Sequence, residues 1–176
     1  MYRPLNAGMG KFMSKFLLST LLIASSVVSL NANAEWFTKA EDDIFSGGKQ
    51  AMLLGSISEM SGIAFDCTKD SLELSYIEKG PFKAEGPVPV TIIVKIDSNE
   101  PVKFQGDFSR QNDEFIQAST TQDGIKEVLS QLKQAKSKML IGLSVDAVNK
   151  KMSFSADVAG STKAVNDFTS ACELKI

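Results

Sequence analysis

Between Ala51 and Val158, hydrophobic and polar residues alternate through most of the chain at a spacing of two. That is the signature of strands that bury one face and expose the other. Candidate strands are 51–57, then 62–68 with Ile63, Phe65 and Cys67 on one face, then 71–77 with Leu72, Leu74 and Tyr76 on one face. Val90, Ile92, Val94 and Ile96 line the next strand, residues 97–101 supply turn chemistry, and Val102, Phe104, Gly106 and Phe108 resume the alternation. This predicts a hairpin with a longer loop, and Pro87 and Pro89 stand at its start, where a missing N–H is tolerated. Residues 114–118 form a further short strand. Helical spacing then takes over: Ile125, Val128, Leu129, Leu132 and Ala135 make one apolar stripe, with Thr120, Thr121 or Asp123 to cap its start. A second hairpin sets Met139, Ile141, Leu143 and Val145 against Met152, Phe154, Ala156 and Val158, joined near Asn149 and Lys150. Ser161 then caps a short helix that carries Ala164, Val165, Phe168, Ala171 and Cys172 on one face. Residues 35–50 have no clear period and read as an irregular arm pinned by Trp36 and Phe37. The element count predicts a mainly β fold, an antiparallel β-sandwich of about seven or eight strands with two short helices packed on it.

Ahead of this domain the pattern changes. Arg3, Lys11 and Lys15 are the only charges before Glu35, an apolar run extends from Phe16 to Leu30, and Ala32-Asn33-Ala34 follows. A basic start, a short apolar segment and small residues at the last and third-last positions describe a secretory signal peptide over residues 1–34, cleaved between Ala34 and Glu35. The apolar run is interrupted by serines and falls short of the roughly 20 residues that a membrane span needs. It is followed by no cysteine that could carry a lipid. Met9 and Met13 are alternative starts to Met1. Residues 35–176 then form a single β-rich domain in the periplasm, with no membrane anchor after cleavage.

Two cysteines remain, Cys67 and Cys172. In an oxidising compartment two thiols in a small domain usually pair. Each lies on the apolar face of its element, so both point into one core; two separate buried thiols are the alternative. Closing a loop of roughly a hundred residues would stabilise the fold by about 4–5 kcal/mol. The full chain has a formal net charge of −2, without the concentrated positive surface that nucleic-acid binding requires.

A Trp just after the cleavage point, a strand ending in Cys67 (IAFDC), LELSYI, and a strand closing on Ile96-Asp97 (VTIIVKID) form an ordered pattern. The helix IKEVLSQLKQA, the strand MLIGLSV and the closing block FSADVAGSTKAVNDFTSAC, with Phe154, Gly160, Phe168 and Cys172, complete it. In these segments the chain resembles the periplasmic accessory proteins of type VI secretion (the TagO-like family) and, more distantly, the invasion-associated locus B proteins. The resemblance implies a β-sandwich in the cell envelope with a Cys67–Cys172 disulfide, and it carries no enzymatic chemistry.

The chain has no histidine, which removes Ser-His and Cys-His nucleophile pairs and the commonest zinc ligand. Carboxylate chemistry would have to come from Asp42, Asp43, Asp107, Asp113 and Glu114, all set among polar neighbours and so read as solvated surface charge. Neither acidic run has the alternating pattern of a calcium loop. Ser46 with Lys49, and Ser137 with Lys138, stand outside any recognisable nucleophile motif, and Ser46-Gly47-Gly48-Lys49 lacks the spacing of a phosphate loop. No catalytic residue, metal ligand or cofactor is expected. The outward face of the central hairpin, Thr91, Ile93, Lys95, Lys103, Gln105 and Asp107, is a candidate binding face, to which Phe82 and the loop GPFKAEGPVPV could add an apolar anchor. The competing reading covers Ile93 with the first helix, which needs an apolar partner. These features predict a periplasmic, non-enzymatic binding or envelope-accessory protein whose partner is another envelope protein. An inhibitor of a lysozyme-like or other envelope enzyme is the alternative, and a carboxylate-based enzyme a third class. Oligomeric state is not legible.

Overall fold

The computed structural model describes residues 36–45 and 47–176; the expected signal peptide, its cleavage point at Ala34 and Glu35, and Ser46 lie outside the described residues. The strands are β1 (Trp36–Asp43), β2 (Gly48–Ser58), β3 (Ser61–Cys67), β4 (Leu72–Lys79), β5 (Val88–Ile96), β6 (Val102–Arg110), β7 (Phe115–Thr120), β8 (Lys138–Val145) and β9 (Lys150–Asp157). Helix α1 (Ile125–Lys133) separates β7 from β8, and α2 (Ser161–Ala171) follows β9. Every pairing is antiparallel, in the order β1-β2-β3-β4-β7-β6-β5-β8-β9.

The expected sandwich is replaced by one nine-stranded sheet curled into a half-barrel. The reason lies in β7, which pairs with β4 on one side and with β6 on the other. It therefore joins what would otherwise be two separate sheets. Alternation of side chains records which face of a strand is buried, but not which strand lies beside it.

The concave face holds the core. One row of partners crosses the sheet from Trp36 through Gly55, Ile63, Tyr76, Ala118 and Phe108 to Val88. The curl brings β9 back against β2, and Phe154 of β9 also reaches β4, where it stacks on Tyr76 with ring centroids 4.6 Å apart. At the same closure the Trp36 indole N–H donates to the Asp157 carbonyl at 2.6 Å. Helix α1 buries Ile125, Val128, Leu129 and Leu132 in this concavity, as its stripe predicted. Helix α2 packs against β1, β2 and α1; the small residues Ala40 and Ala51, paired across β1 and β2, leave room for it.

Three local expectations are corrected. The opening segment is the regular strand β1 rather than an irregular arm, with Trp36 buried and Phe37 half exposed; adjacent residues of a strand face opposite ways, so both cannot anchor it. Helix α1 starts after Gly124 (φ 103°) and has no side-chain cap, because the capping position is itself a glycine; the Thr120 hydroxyl, four residues earlier, donates to the Gln105 carbonyl at 2.8 Å. Helix α2 likewise starts after Gly160 (φ 83°), a left-handed conformation that glycine adopts without strain. Ser161 is thereby freed to donate to the Leu132 carbonyl at 3.0 Å, and Thr162 to the Lys133 carbonyl at 2.9 Å. The two hydroxyls donate to end carbonyls of the other helix, α1, where the regular intrahelical bonds run out; the Leu132 carbonyl also accepts the Ala135 N–H at 3.2 Å.

Candidate functional site

Cys67 ends β3 on the concave face and Cys172 ends α2 directly beneath it. They form a disulfide with a Cα–Cα distance of 6.3 Å across a sequence separation of 105, within the range such bridges adopt. No free thiol remains among the described residues.

The predicted binding residues do come together. β5 and β6 pair Pro89 with Asp107, Thr91 with Gln105 and Ile93 with Lys103, so these side chains alternate with the buried Val90, Ile92 and Val94 and share the convex face. The Gln105 amide N–H donates to the Thr91 hydroxyl at 3.3 Å. On the other side of β5, Ile93 lies opposite Gly142 and Lys95 opposite Leu140, so Ile93 has no large neighbour on its β8 flank and stays half buried. Helix α1 does not cover it: Gly124, at the helix start, sits over Val102 and Phe104, the neighbours of Val94 and Ile92 on the concave face. The helix finds its apolar partners there.

The five candidate acids do not converge. Asp42 pairs with Lys49 at 3.2 Å, Asp113 with Arg110 at 3.5 Å and Glu114 with Lys79 at 3.9 Å, all at exposed positions. Asp43 lies at the end of β1 and its carboxylate accepts the Phe45 N–H at 2.9 Å; Asp107 lies on β6. The paired carboxylates that the fold does create are Asp66 and Glu73, directly opposite across β3 and β4. They line a surface groove of about 300 Å³ with Lys39, Glu41 and Met52. Burial first, and then the charge of Glu73, holds the Asp66 carboxyl above its ordinary range. Among the described residues no group of three or more acidic or cysteine side chains is placed to hold a metal ion.

A second groove of about 360 Å³, mostly apolar, opens on the same convex face at the β2–β3 hairpin, lined by Met52, Leu54, Met60, Ile77 and Phe115. Sequence reasoning missed it. Leu54 and Ile77 sit at the parity that alternation assigns to solvent, and only the successive pairing of β2, β3, β4 and β7 brings them near Phe115 at the start of β7. The phenol of Tyr76, on the concave face, donates to Glu78 at 3.1 Å. Burial, then the charge and hydrogen bond of Glu78, raise it well above the ordinary tyrosine range.

Among the described residues no helix is long and apolar enough to cross a membrane. The fold and surface together define a class by architecture: a disulfide-closed, antiparallel half-barrel wrapped around two helices, with its polar binding candidates on the outside. No protein-family model matches the chain, and no curated protein or solved structure matches it.

Proposed function

We propose that this chain is an exported, periplasmic binding or envelope-accessory protein without catalytic chemistry of its own, of the kind that supports type VI secretion. The observation that carries the compartment is the Cys67–Cys172 bridge, since such bonds form and persist where oxidants reach the folded chain and are reduced in the cytosol. For binding, the support is the contiguous outer face of β5 and β6, where Lys95 and Lys103 flank the half-buried Ile93. An apolar centre within a polar rim is the composition of a protein-recognition patch. The partner on this reading is another envelope protein.

A photoreactive phenylalanine analogue at Ile93, with the same analogue at Glu100 as control, tests the reading in cells that export the protein. One discrete adduct with an envelope protein is expected from position 93 and none from position 100. Absence of any adduct from position 93 would overturn it. An adduct with a cell-wall hydrolase, together with slowed wall lysis by the purified protein, would replace the accessory role by inhibition.

A further inference from the structure

We propose that β1 is a self-association edge: two copies pair their β1 strands antiparallel, centred on Ala40, and join their half-barrels into one continuous sheet. The inference stands apart from the functional reading above. Strand β1 ends the sheet, and among the described residues it has a strand on one side only. Its opposite number, β9, is folded back against β2, whereas β1 is exposed from Lys39 through Asp42. Edge strands are templates for pairing unless a proline, a bulge, a covering element or charged side chains blunt them. The charges of β1 are of both signs, Lys39 with Glu41 and Asp42, so they oppose pairing in some registers and favour it in another. β1 has no proline, its register with β2 runs unbroken from Trp36 to Asp43, and the sheet's irregularity falls elsewhere, between Ser56 and Ser58.

The charges select both the partner and the register. A two-fold axis perpendicular to the sheet keeps each side chain on its own face, so only residues of the same parity can lie opposite each other. Centring the pair on Lys39, Glu41 or Asp42 would set that residue against itself, and like charges directly opposite are destabilising; centring it on Thr38 would pair only residues 36–40 of β1. Centring on Ala40 instead places Lys39 opposite Glu41 of the second copy, twice, and Thr38 opposite Asp42. Lys39 and Glu41 already form an ion pair within one chain, with side chains 66% and 49% exposed. Pairing therefore closes an alternating ring of four charges.

The same register gives the most exposed apolar side chains a place. Ile44 and Phe45, in the turn after β1, are 84% and 95% exposed, and Phe37 near its start is 50% exposed. Antiparallel pairing about Ala40 runs that turn alongside the beginning of the second copy's β1. Phe45 then approaches Phe37 of the second copy from a diagonal position, a separation that aromatic side chains span.

Sedimentation velocity of the purified protein and a cysteine scan test this together. A species of two-chain mass is expected. Lys39→Glu should raise its dissociation constant at least tenfold, and adding Glu41→Lys should restore it, because the swap rebuilds both pairs. Ala40→Cys lies on the axis, within disulfide reach of its own copy, and should cross-link into a dimer under mild oxidation. Asp42→Cys, equally exposed but off the axis, should not. A protein that stays monomeric at millimolar concentration would overturn the proposal, as would larger open-ended assemblies or equal cross-linking at positions 40 and 42.

Discussion

As a strand pattern, β1 to β4 is a plain meander, each strand joined to the next by a short turn, while β5, β6, β8 and β9 are two hairpins brought together by a crossover through α1. What backs them reverses that simplicity. The meander is held from beneath by the far end of the chain: the Thr38 hydroxyl donates to the Ala164 carbonyl at 2.6 Å across 126 positions, and Cys172 reaches Cys67. The other flank is fastened by the turn that follows β5, where the Asp97 carboxylate accepts the N–H groups of Lys136, Ser137 and Lys138 at 2.7–3.0 Å. One flank thus depends on the redox state of its surroundings and on chain closure. The other adds a single exposed carboxylate to its β5–β8 ladder.

The largest expected effect follows from the bridge. Replacing both cysteines (Cys67→Ala with Cys172→Ala) should lower unfolding free energy by about 4–5 kcal/mol, the loop-entropy value for this separation. That is a large fraction of the roughly 5–15 kcal/mol of an ordinary domain. Amide exchange under native conditions should rise first in β1, β2, β3 and α2, while β5 and β8 stay protected. A loss spread evenly over both flanks would mean that the two are not held separately.

A smaller contrast uses one glycine from each flank. At Gly55 in β2, an added Cβ would lie 2.5 Å from the Trp36 ring, so the indole rests directly on the backbone there. Gly55→Ala should cost about 1–3 kcal/mol by displacing it, with a shift in the emission of Trp36, the chain's one tryptophan. At Gly142 in β8, the nearest atom would be the Ile93 Cβ at 3.6 Å, an ordinary contact, and Gly142→Ala should fall within about 0.5 kcal/mol of wild type. Urea unfolding of the pair measures both, and equal costs would refute the close approach at Trp36.

The same division explains what could be read in advance. The strands from β2 to β9, both helical stripes and the cysteine pair announce themselves because each buries one periodic face. β1 does not, since in WFTKAEDD only Trp36 is fully buried and the rest faces solvent or α2. The candidate face on β5 and β6 was legible because two adjacent strands carry it and a local turn sets their register. The apolar groove was not, because Leu54, Met60, Ile77 and Phe115 belong to separate segments that only tertiary pairing brings together. The single sheet was hidden for a related reason: β7 pairs on both sides, and nothing in its own six residues marks that. The closing Ile96-Asp97 of β5 was noticed as a pattern, and its physical role emerges only with the fold.

Asp97 is the point at which the second flank can be loosened without touching its core. The residue takes a left-handed backbone conformation, φ 51°, which aspartate and asparagine both tolerate better than other side chains. Asp97→Asn therefore keeps the backbone preference and the side-chain shape, removes the charge, and turns one of the two acceptor oxygens into a donor that faces a backbone N–H. In the wild type, the N–H groups of Lys138 and Lys136, with Ser137 and the Lys136 ammonium adding to them, hold the carboxyl below the usual carboxylate range. A carboxyl with a lowered folded pKa contributes stability that is fully present above its unfolded value, near pH 4, and is lost as pH falls through the folded value. Wild type should therefore melt at a higher temperature than Asp97→Asn at neutral pH, with the gap closing as the solution is acidified below about pH 4. The shift should be smaller than that of either change in the first flank, because the clamp is solvent-exposed and water competes for the same donors. A gap that stays constant down to pH 2 would show that the three N–H groups gain nothing from the charge and that β5 and β8 hold together by their ladder alone.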